Sequence, residues 1–204
     1  MNHKVEDVEK LYNDSTDLYN DVVVKGDASA ETMLYDLEAA IKNLKENWKG
    51  IDAGGKIQEV IEVYNALVTV RNDLANLASD SSGVASYYRD IQIANDAPVE
   101  KLDVLAVTDK APIEKYSDTD DRIDITDAAD SGREHIDNVV SVVDAFIGNV
   151  QEEYQNIMNN WTIGTGRDRA SKSFENFLEN AESYKTTLRG VSDSITQALK
   201  NYKS

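Results

Sequence analysis

Two short tryptophan–glycine sequences, Trp48-Lys-Gly50 and Trp161-Thr-Ile-Gly164, each lie between two long stretches of apolar residues at helical spacing. Apolar residues that recur every three or four positions form a stripe along one side of a helix, and such a stripe must be buried against a partner. Glycine permits the chain to reverse there, because it reaches positive φ without a steric clash. The chain therefore reads as two copies of one unit, which consists of a helix, a Trp–Gly turn and a second helix.

The apolar stripes are clearest in the second half of the chain. One stripe precedes Trp161 and another follows it: Ile136, Val139, Val143, Phe146, Val150, Tyr154 and Ile157, then Phe174, Phe177, Ala181, Leu188, Val191 and Ile195. The first half repeats the pattern with two interruptions, at residues 25–29 and 79–83. We expect these interruptions to weaken the helices, because they are rich in glycine, serine and aspartate. When the halves are overlaid, Gly50 falls on Gly164, and the repeat is mainly one of pattern.

Proline occurs only at Pro98 and Pro112, and both positions fall near the middle of the chain. Proline breaks helices and biases the preceding residue away from helical backbone. We therefore predict an extended or irregular connector over residues 96–119, with a helical hairpin on each side, at residues 1–95 and 120–204. Since each hairpin leaves one apolar face uncovered, the predicted fold is all-α: two antiparallel hairpins packed as an intramolecular four-helix bundle. The connector is too apolar for a free linker, so we expect it to lie on the bundle surface.

The chain is strongly acidic, with a formal net charge of −17 at pH 7. Nucleic acids and anionic membrane surfaces attract basic proteins, so this charge argues against either as a partner. There is no cysteine, which excludes disulfides and thiolate-based metal or catalytic sites. No apolar stretch is long enough to span a membrane, and the first residues do not resemble a secretory signal peptide. If the protein leaves the cell, we expect a route without a cleaved signal.

Three arrangements that resemble ligand sites are incomplete. Residues 50–57 resemble a phosphate-binding loop, but Ile57 stands where magnesium binding requires serine or threonine, and no predicted strand precedes the glycines. The aspartates between residues 118 and 130 lack the glycine and glutamate that a calcium loop requires. His3 and His135 do not have the spacing of metal ligands. We therefore predict no catalytic, metal-binding or cofactor-binding residues, and a protein that is not an enzyme.

Trp48-Lys-Gly50, between the two apolar stripes of residues 1–95, resembles the turn of the WXG family. This family consists of small helical hairpins that type VII (ESX) secretion systems handle, and its members typically dimerise head-to-tail. Trp161 to Gly164 resembles a second copy of the turn with one extra residue. The resemblance implies a tandem form, in which one chain holds two hairpins that the family usually supplies as separate chains. It also implies that Trp48, Gly50, Trp161 and Gly164 form the turn motifs.

The WXG family also commonly carries a tyrosine followed four residues later by aspartate or glutamate, as an export signal after the second helix of one partner. Of the ten tyrosines in this chain, Tyr116 alone has this spacing, to Asp120. The pair lies in the predicted connector after the first hairpin. The resemblance therefore implies a candidate export signal at Tyr116 and Asp120, and the alternative is a solvated loop without this role.

Three functions are compatible with the sequence. The resemblance implies a non-enzymatic substrate or co-secreted partner of a type VII (ESX-like) secretion system, which acts through protein–protein interaction and is secreted without a cleaved signal peptide. The second is a cytoplasmic chaperone or targeting adaptor for a larger secreted toxin, and the third is an unrelated structural helical bundle. The expected partners are the secretion machinery and a larger helical effector, with no nucleic acid and no integral membrane segment. Within the chain, the two hairpins are expected to form a pseudo-dimer.

Overall fold

The structure, a computed structural model, describes residues 5–120, 124–161 and 165–202, and in these ranges it is mostly helical, as the predicted all-α class requires. The elements are α1 (Val8–Asp17), a π-helical segment (Leu18–Val24), α2 (Ala30–Asn47), β1 (Trp48–Lys49), α3 (Ile51–Ala94), β2 (Asp124–Ile125), α4 (Ala129–Asn160) and α5 (Thr165–Tyr202). Within those ranges, no helix combines the length and the apolar character needed to cross a membrane.

The interruption predicted at residues 25–29 separates α2 from the helical turns before it. Asp7 caps α1, since its Oδ1 accepts a hydrogen bond from the Lys10 N–H at 3.0 Å. Ser29 caps α2 in the same way, by accepting a hydrogen bond from the Thr32 N–H at 3.2 Å. The first long stretch of the fold is therefore two helices joined by the π-helical segment and a short turn.

The weakening predicted at residues 79–83 is wrong, because α3 runs without a break for 44 residues. The serines of this stretch bond to the preceding turn or to neighbouring elements. The Ser81 hydroxyl donates to the Leu77 carbonyl at 2.8 Å and lies 2.7 Å from the Ser15 hydroxyl of α1. A hydroxyl that bonds back to the preceding turn is compatible with a helix. Its small side chain also leaves room for α1 to pack closely.

Side-chain contacts show that neighbouring helices run antiparallel. The stretch α1–α2 packs against α3 and α4, and α5 packs against the same two helices. The directions follow from two contacts for each pair of helices: Arg71 with Glu31 and Ser81 with Ser15 (α3 with α1–α2), His135 with Asp36 and Asn160 with Asp14 (α4 with α1–α2), Lys185 with Asp144 and Ser192 with Asp137 (α5 with α4), and Arg169 with Asp73 and Gly166 with Asp80 (α5 with α3).

The apolar stripes of both halves meet in one core. Leu34, Leu67, Phe146 and Leu188 come from four different helices and are each at most 2% exposed. The ring of Phe146 meets that of Phe177 edge-on, with centroids 5.8 Å apart. Burial raises the pKa of the Tyr64 phenol to about 12, and the nearby carboxylates Glu38 and Glu31 act in the same direction.

Residues 99–118, here called the strap, run back along α3 without forming a helix or a strand. Polar side chains at every seventh position of α3 bind the strap backbone: Gln58 binds at Tyr116, Asn65 at Ile113, Asn72 at Lys110, Ser79 at Leu105 and Ser86 at Leu102. Seven helical residues rise about 10.5 Å and three extended residues span about 10 Å, so the two segments stay nearly in step over most of their length. The prediction that the connector lies on the bundle surface is therefore confirmed.

Candidate functional site

The turn after α2 brings the first Trp–Gly pair to one end of the molecule. The helix ends there because Trp48 adopts extended backbone angles, with φ −136° and ψ 120°. Gly50 follows with φ 115° and stands at the N-cap position of α3. Residues with a side chain rarely adopt this φ. The backbone of the turn therefore requires glycine at this position.

Trp48 contributes to the core at this end of the molecule. It is 4% exposed, and it borders a groove together with Ala198 and Asn201 of α5. β1 pairs antiparallel with β2, which places Trp48 opposite Ile125. The start of α4 is thereby joined to the end of α2. Because Trp48 is buried, any recognition of this turn must involve the residues around it.

Asp118, at the end of the strap, ties the strap to the Trp48 turn. Its Oδ2 accepts a hydrogen bond from the Gly50 N–H at 3.1 Å, and its Oδ1 accepts one from the Asp120 N–H at 3.0 Å. These hydrogen bonds, first that from Asp120 and then that from Gly50, lower the pKa of the Asp118 carboxyl below its usual value. Its backbone also passes close to α3, because a β-carbon on Gly54 would lie 2.5 Å from the Asp118 nitrogen.

Tyr116 lies half-buried beside the same turn, between α2 and α3. Its N–H donates to Gln58 Oε1 at 2.8 Å, and Lys45 Nζ stands 4.6 Å from the centroid of its ring in a cation–π contact. Burial raises the pKa of the Tyr116 phenol, and the Asp118 carboxylate adds to this effect. The phenol is therefore neutral at physiological pH. Lys45 of α2 contacts its ring, and Gln58 of α3 holds its backbone N–H.

The strap brings the candidate export pair to the first Trp–Gly turn. Asp118 lies between Tyr116 and Asp120 in sequence, and its hydrogen bond to Gly50 joins positions 68 residues apart. The sequence places Tyr116 and Asp120 in a connector and Asp118 in an acidic run, but it does not predict the contacts that dock Asp118 on the turn. The available signal was the seven-residue spacing of amide and hydroxyl side chains along α3, which marks a polar line that an extended segment can follow.

An open groove of about 610 Å³ lies beside the turn, between the first turns of α3 and the last turns of α5. Ile51 is 60% exposed at its edge. The groove is lined by Trp48, Ile51, Asp52, Gly55, Lys56, Glu59, Ser194, Gln197, Ala198 and Asn201. A lining that combines apolar surface with charged and amide groups suits the side chains of a protein partner.

The second tryptophan lies at the opposite end of the molecule. Trp161 ends α4 in extended conformation, is 2% exposed and pairs antiparallel with Val5. Gly164, the other residue of this motif, lies outside the described residues. Each tryptophan therefore pairs with the segment that precedes the other long helical stretch: Trp48 with Ile125 before α4, and Trp161 with Val5 before α1.

His135 does not contribute to either end of the molecule. His135 of α4 contacts Asp36 of α2, with Nδ1 and Oδ1 2.7 Å apart, and this pair joins two helices on the surface. His3 lies outside the described residues. Within the described part of the chain, there is no group of three or more histidine or carboxylate side chains that could hold a metal ion.

Comparison of the chain with protein-family models, with curated proteins and with solved structures gives no match in any of the three.

Proposed function

We propose that the chain is a tandem WXG-like protein whose two antiparallel helical hairpins pack as an intramolecular four-helix bundle. The proposal is supported by the reciprocal pairing of the tryptophans, with Trp48 opposite Ile125 and Trp161 opposite Val5. Two equivalent hairpins related by a two-fold axis make reciprocal contacts of this kind. The antiparallel packing of α1–α2, α3, α4 and α5 supports the same arrangement.

We further propose that this protein is a substrate or co-secreted partner of a type VII (ESX-like) secretion system. In this proposal it is not an enzyme, it acts through protein–protein contacts, and it is exported without a cleaved signal peptide. The observation that carries the proposal is the hydrogen bond from the Gly50 N–H to Asp118, which holds the segment from Tyr116 to Asp120 against the Trp48 turn. The turn that resembles that of the family and the candidate export signal would then form one surface within a single chain.

The proposed mechanism is presentation of a preformed surface to the export machinery. Gln58 and Lys45 hold Tyr116 in place, so little conformational freedom is lost when a partner binds it. The adjacent groove offers room for side chains of that partner. Asp118 acts as a positioning residue, because its carboxylate is turned toward Gly50 and Asp120.

Secretion of two single variants in the encoding organism tests this mechanism. For Tyr116→Ala and for Asp120→Ala, we expect at least a tenfold smaller amount in the culture supernatant and an unchanged amount in the cells, as measured by quantitative immunoblot. Tyr35→Ala is the matched control, because Tyr35 is 70% exposed on α2 and lies about 20 Å along the helix from the Trp48 turn, and it should be exported like the wild type. Normal export of both test variants contradicts the assigned surface.

A cytoplasmic chaperone or targeting adaptor for a larger secreted toxin is the second candidate function. It is favoured by the apolar side chains Tyr87 and Ile91, which are exposed near the end of α3. Under this alternative, the protein stays in the cytosol, and deleting its gene removes the toxin from the supernatant. Cell fractionation in the same strains separates the two functions, since a co-secreted partner is itself found outside the cell.

A further inference from the structure

The C-terminal end of α3 extends beyond the start of α5, which is one of the helices that pack against it. Near its start, α5 contacts α3 through the ion pair of Arg169 with Asp73, at 3.1 Å, and through Gly166, where a β-carbon would touch the Asp80 carboxylate. Helix α3 continues from there to Ala94, which is about 21 Å farther along its axis. All residues from 90 to 96 are exposed.

The extended end carries the same apolar face that α5 covers farther back. At seven-residue steps along α3, Val63, Val70, Leu77 and Val84 are at most 9% exposed, whereas Ile91 is 41% exposed. Tyr87, one turn before Ile91, is 60% exposed, and Val104 of the strap is 52% exposed. Val104 lies beside Gly83, one turn before Tyr87, so these side chains form a continuous strip. A face that continues a helix–helix interface has the shape to receive another helix.

Carboxylates predominate around this strip. Asp80 and Asp90 flank it on α3, and the turn and strap beside it contribute Asp96, Glu100 and Asp103 together with the exposed Lys101. A second copy of this chain also carries a charge of −17, so self-association is electrostatically disfavoured. A helix with lysine or arginine beside its apolar stripe has complementary charge.

We propose that the strip formed by Tyr87, Ile91 and Val104 binds one amphipathic helix of another polypeptide, whose apolar stripe is bordered by lysine or arginine. The bound helix continues the path of α5 along α3. This site lies at the opposite end of α3 from the Trp48 turn and does not depend on the proposed export role. The small area of the strip is typical of a weak, reversible interface.

The test uses the full-length chain and a synthetic 18-residue helical peptide with leucine at heptad positions a and d and lysine at e and g. The matched control peptide has glutamate in place of lysine. In isothermal titration calorimetry, we expect the lysine peptide to bind, and Tyr87→Ser combined with Ile91→Ser to weaken its binding at least tenfold. Tyr35→Ser removes another exposed tyrosine, on α2 rather than in the strip, and should change the Kd less than twofold. Thermal melts verify that all variants remain folded.

Three results would overturn the proposal. The first is that the lysine peptide does not bind the wild-type chain, or binds it no better than the glutamate peptide does. The second is that the Tyr87/Ile91 variant binds as tightly as the Tyr35 variant. The third comes from sedimentation equilibrium: a wild-type dimer that the Tyr87/Ile91 variant loses would assign the strip to a second copy of this chain.

Discussion

Three glycines at the start of α3 differ in what surrounds them. Gly50 needs its positive φ, and Gly54 lies against the Asp118 backbone, whereas a β-carbon on Gly55 would meet no atom within 4 Å. The role of Gly54 could not be predicted, because it depends on a segment more than 60 residues away that is positioned by tertiary contacts.

Alanine at the neighbouring positions 54 and 55 should have opposite effects on stability. Gly54→Ala places a methyl group against Asp118 and should lower the free energy of unfolding by about 1–3 kcal/mol, as overpacking does. Gly55→Ala, the matched control, should raise it by up to about 1 kcal/mol, because alanine favours a helix more than glycine does. Urea unfolding followed by tryptophan fluorescence measures both. Equal effects would contradict the close contact between the strap and α3.

The Asp118 carboxyl should make stability depend on acid pH. Its pKa in the folded chain is lowered by the N–H groups of Asp120 and Gly50, so its stabilising contribution is complete above about pH 4 and is lost as pH falls through the folded-state pKa. Asp118→Asn should be less stable than the wild type at neutral pH, and this difference should shrink below about pH 4. Urea titrations at several pH values test this, and a constant difference would exclude the carboxylate as its cause.

The strap illustrates which features of an element can be predicted from sequence. Pro98 and Pro112 correctly predicted a non-helical connector, and its apolar residues correctly placed it on the bundle. Its register on α3 was not predicted. The register depends on individual side chains of α3, which bind the strap backbone in the way that the backbone of a neighbouring strand would. Asn65 and Asn72 each donate to the carbonyl and accept from the N–H of one strap residue.

Removing one of these amides should loosen the strap. Asn72→Ala leaves the Lys110 N–H and carbonyl without their partner, and we expect it to lower the free energy of unfolding by about 1–3 kcal/mol. Hydrogen exchange at the Lys110 amide should become faster by at least tenfold. Thr69→Ala is the control, because Thr69 is exposed on α3 and bonds only within its own helix. If the two variants exchange alike at residue 110, the amide does not hold the strap.

The contact between α4 and the first helical stretch contains the carboxyl group of Glu153, whose ionised form is disfavoured by its surroundings. Desolvation raises the pKa of Glu153, and Asp17, Glu152 and Asp14 act in the same direction. A carboxyl whose pKa is raised on folding favours the folded state at low pH and opposes it once ionised. Glu153→Gln should therefore stabilise the protein by about 0.5 kcal/mol at pH 7.

The same variant should lose its advantage as pH falls through the folded-state pKa of Glu153, which lies above the ordinary glutamate value. Thermal melts at pH 7 and pH 3.5 test the sign. Glu179→Gln serves as the control, because Glu179 is exposed on α5 and should show little change at either pH. Destabilisation by Glu153→Gln at pH 7 would contradict the repulsion inferred at this contact.

At the scale of the whole molecule, the apolar periodicity correctly predicted an all-α chain, and the helices on either side of Trp48 and Trp161 lie where the stripes placed them. The continuity of α3 was not predicted, because residues 79–83 have low helix propensity. In the structure, packing against α1 and the strap overrides this local propensity. The proximity of Tyr116 to the Trp48 turn was also not predictable, because it depends on the path of the strap along α3. The export role remains a proposal that relies on this proximity.

The most direct test of the export role is the amount of the wild-type protein in the culture supernatant of the encoding organism, with and without its type VII secretion ATPase. The measurement is quantitative immunoblotting, with a cytosolic protein as the marker of lysis. We predict that the protein is found in the supernatant of the parent strain, and that deletion of the ATPase removes it while the cellular amount is maintained. A protein that stays in the cytosol of the parent strain, or one that reaches the supernatant equally well without the ATPase, would contradict the proposed function.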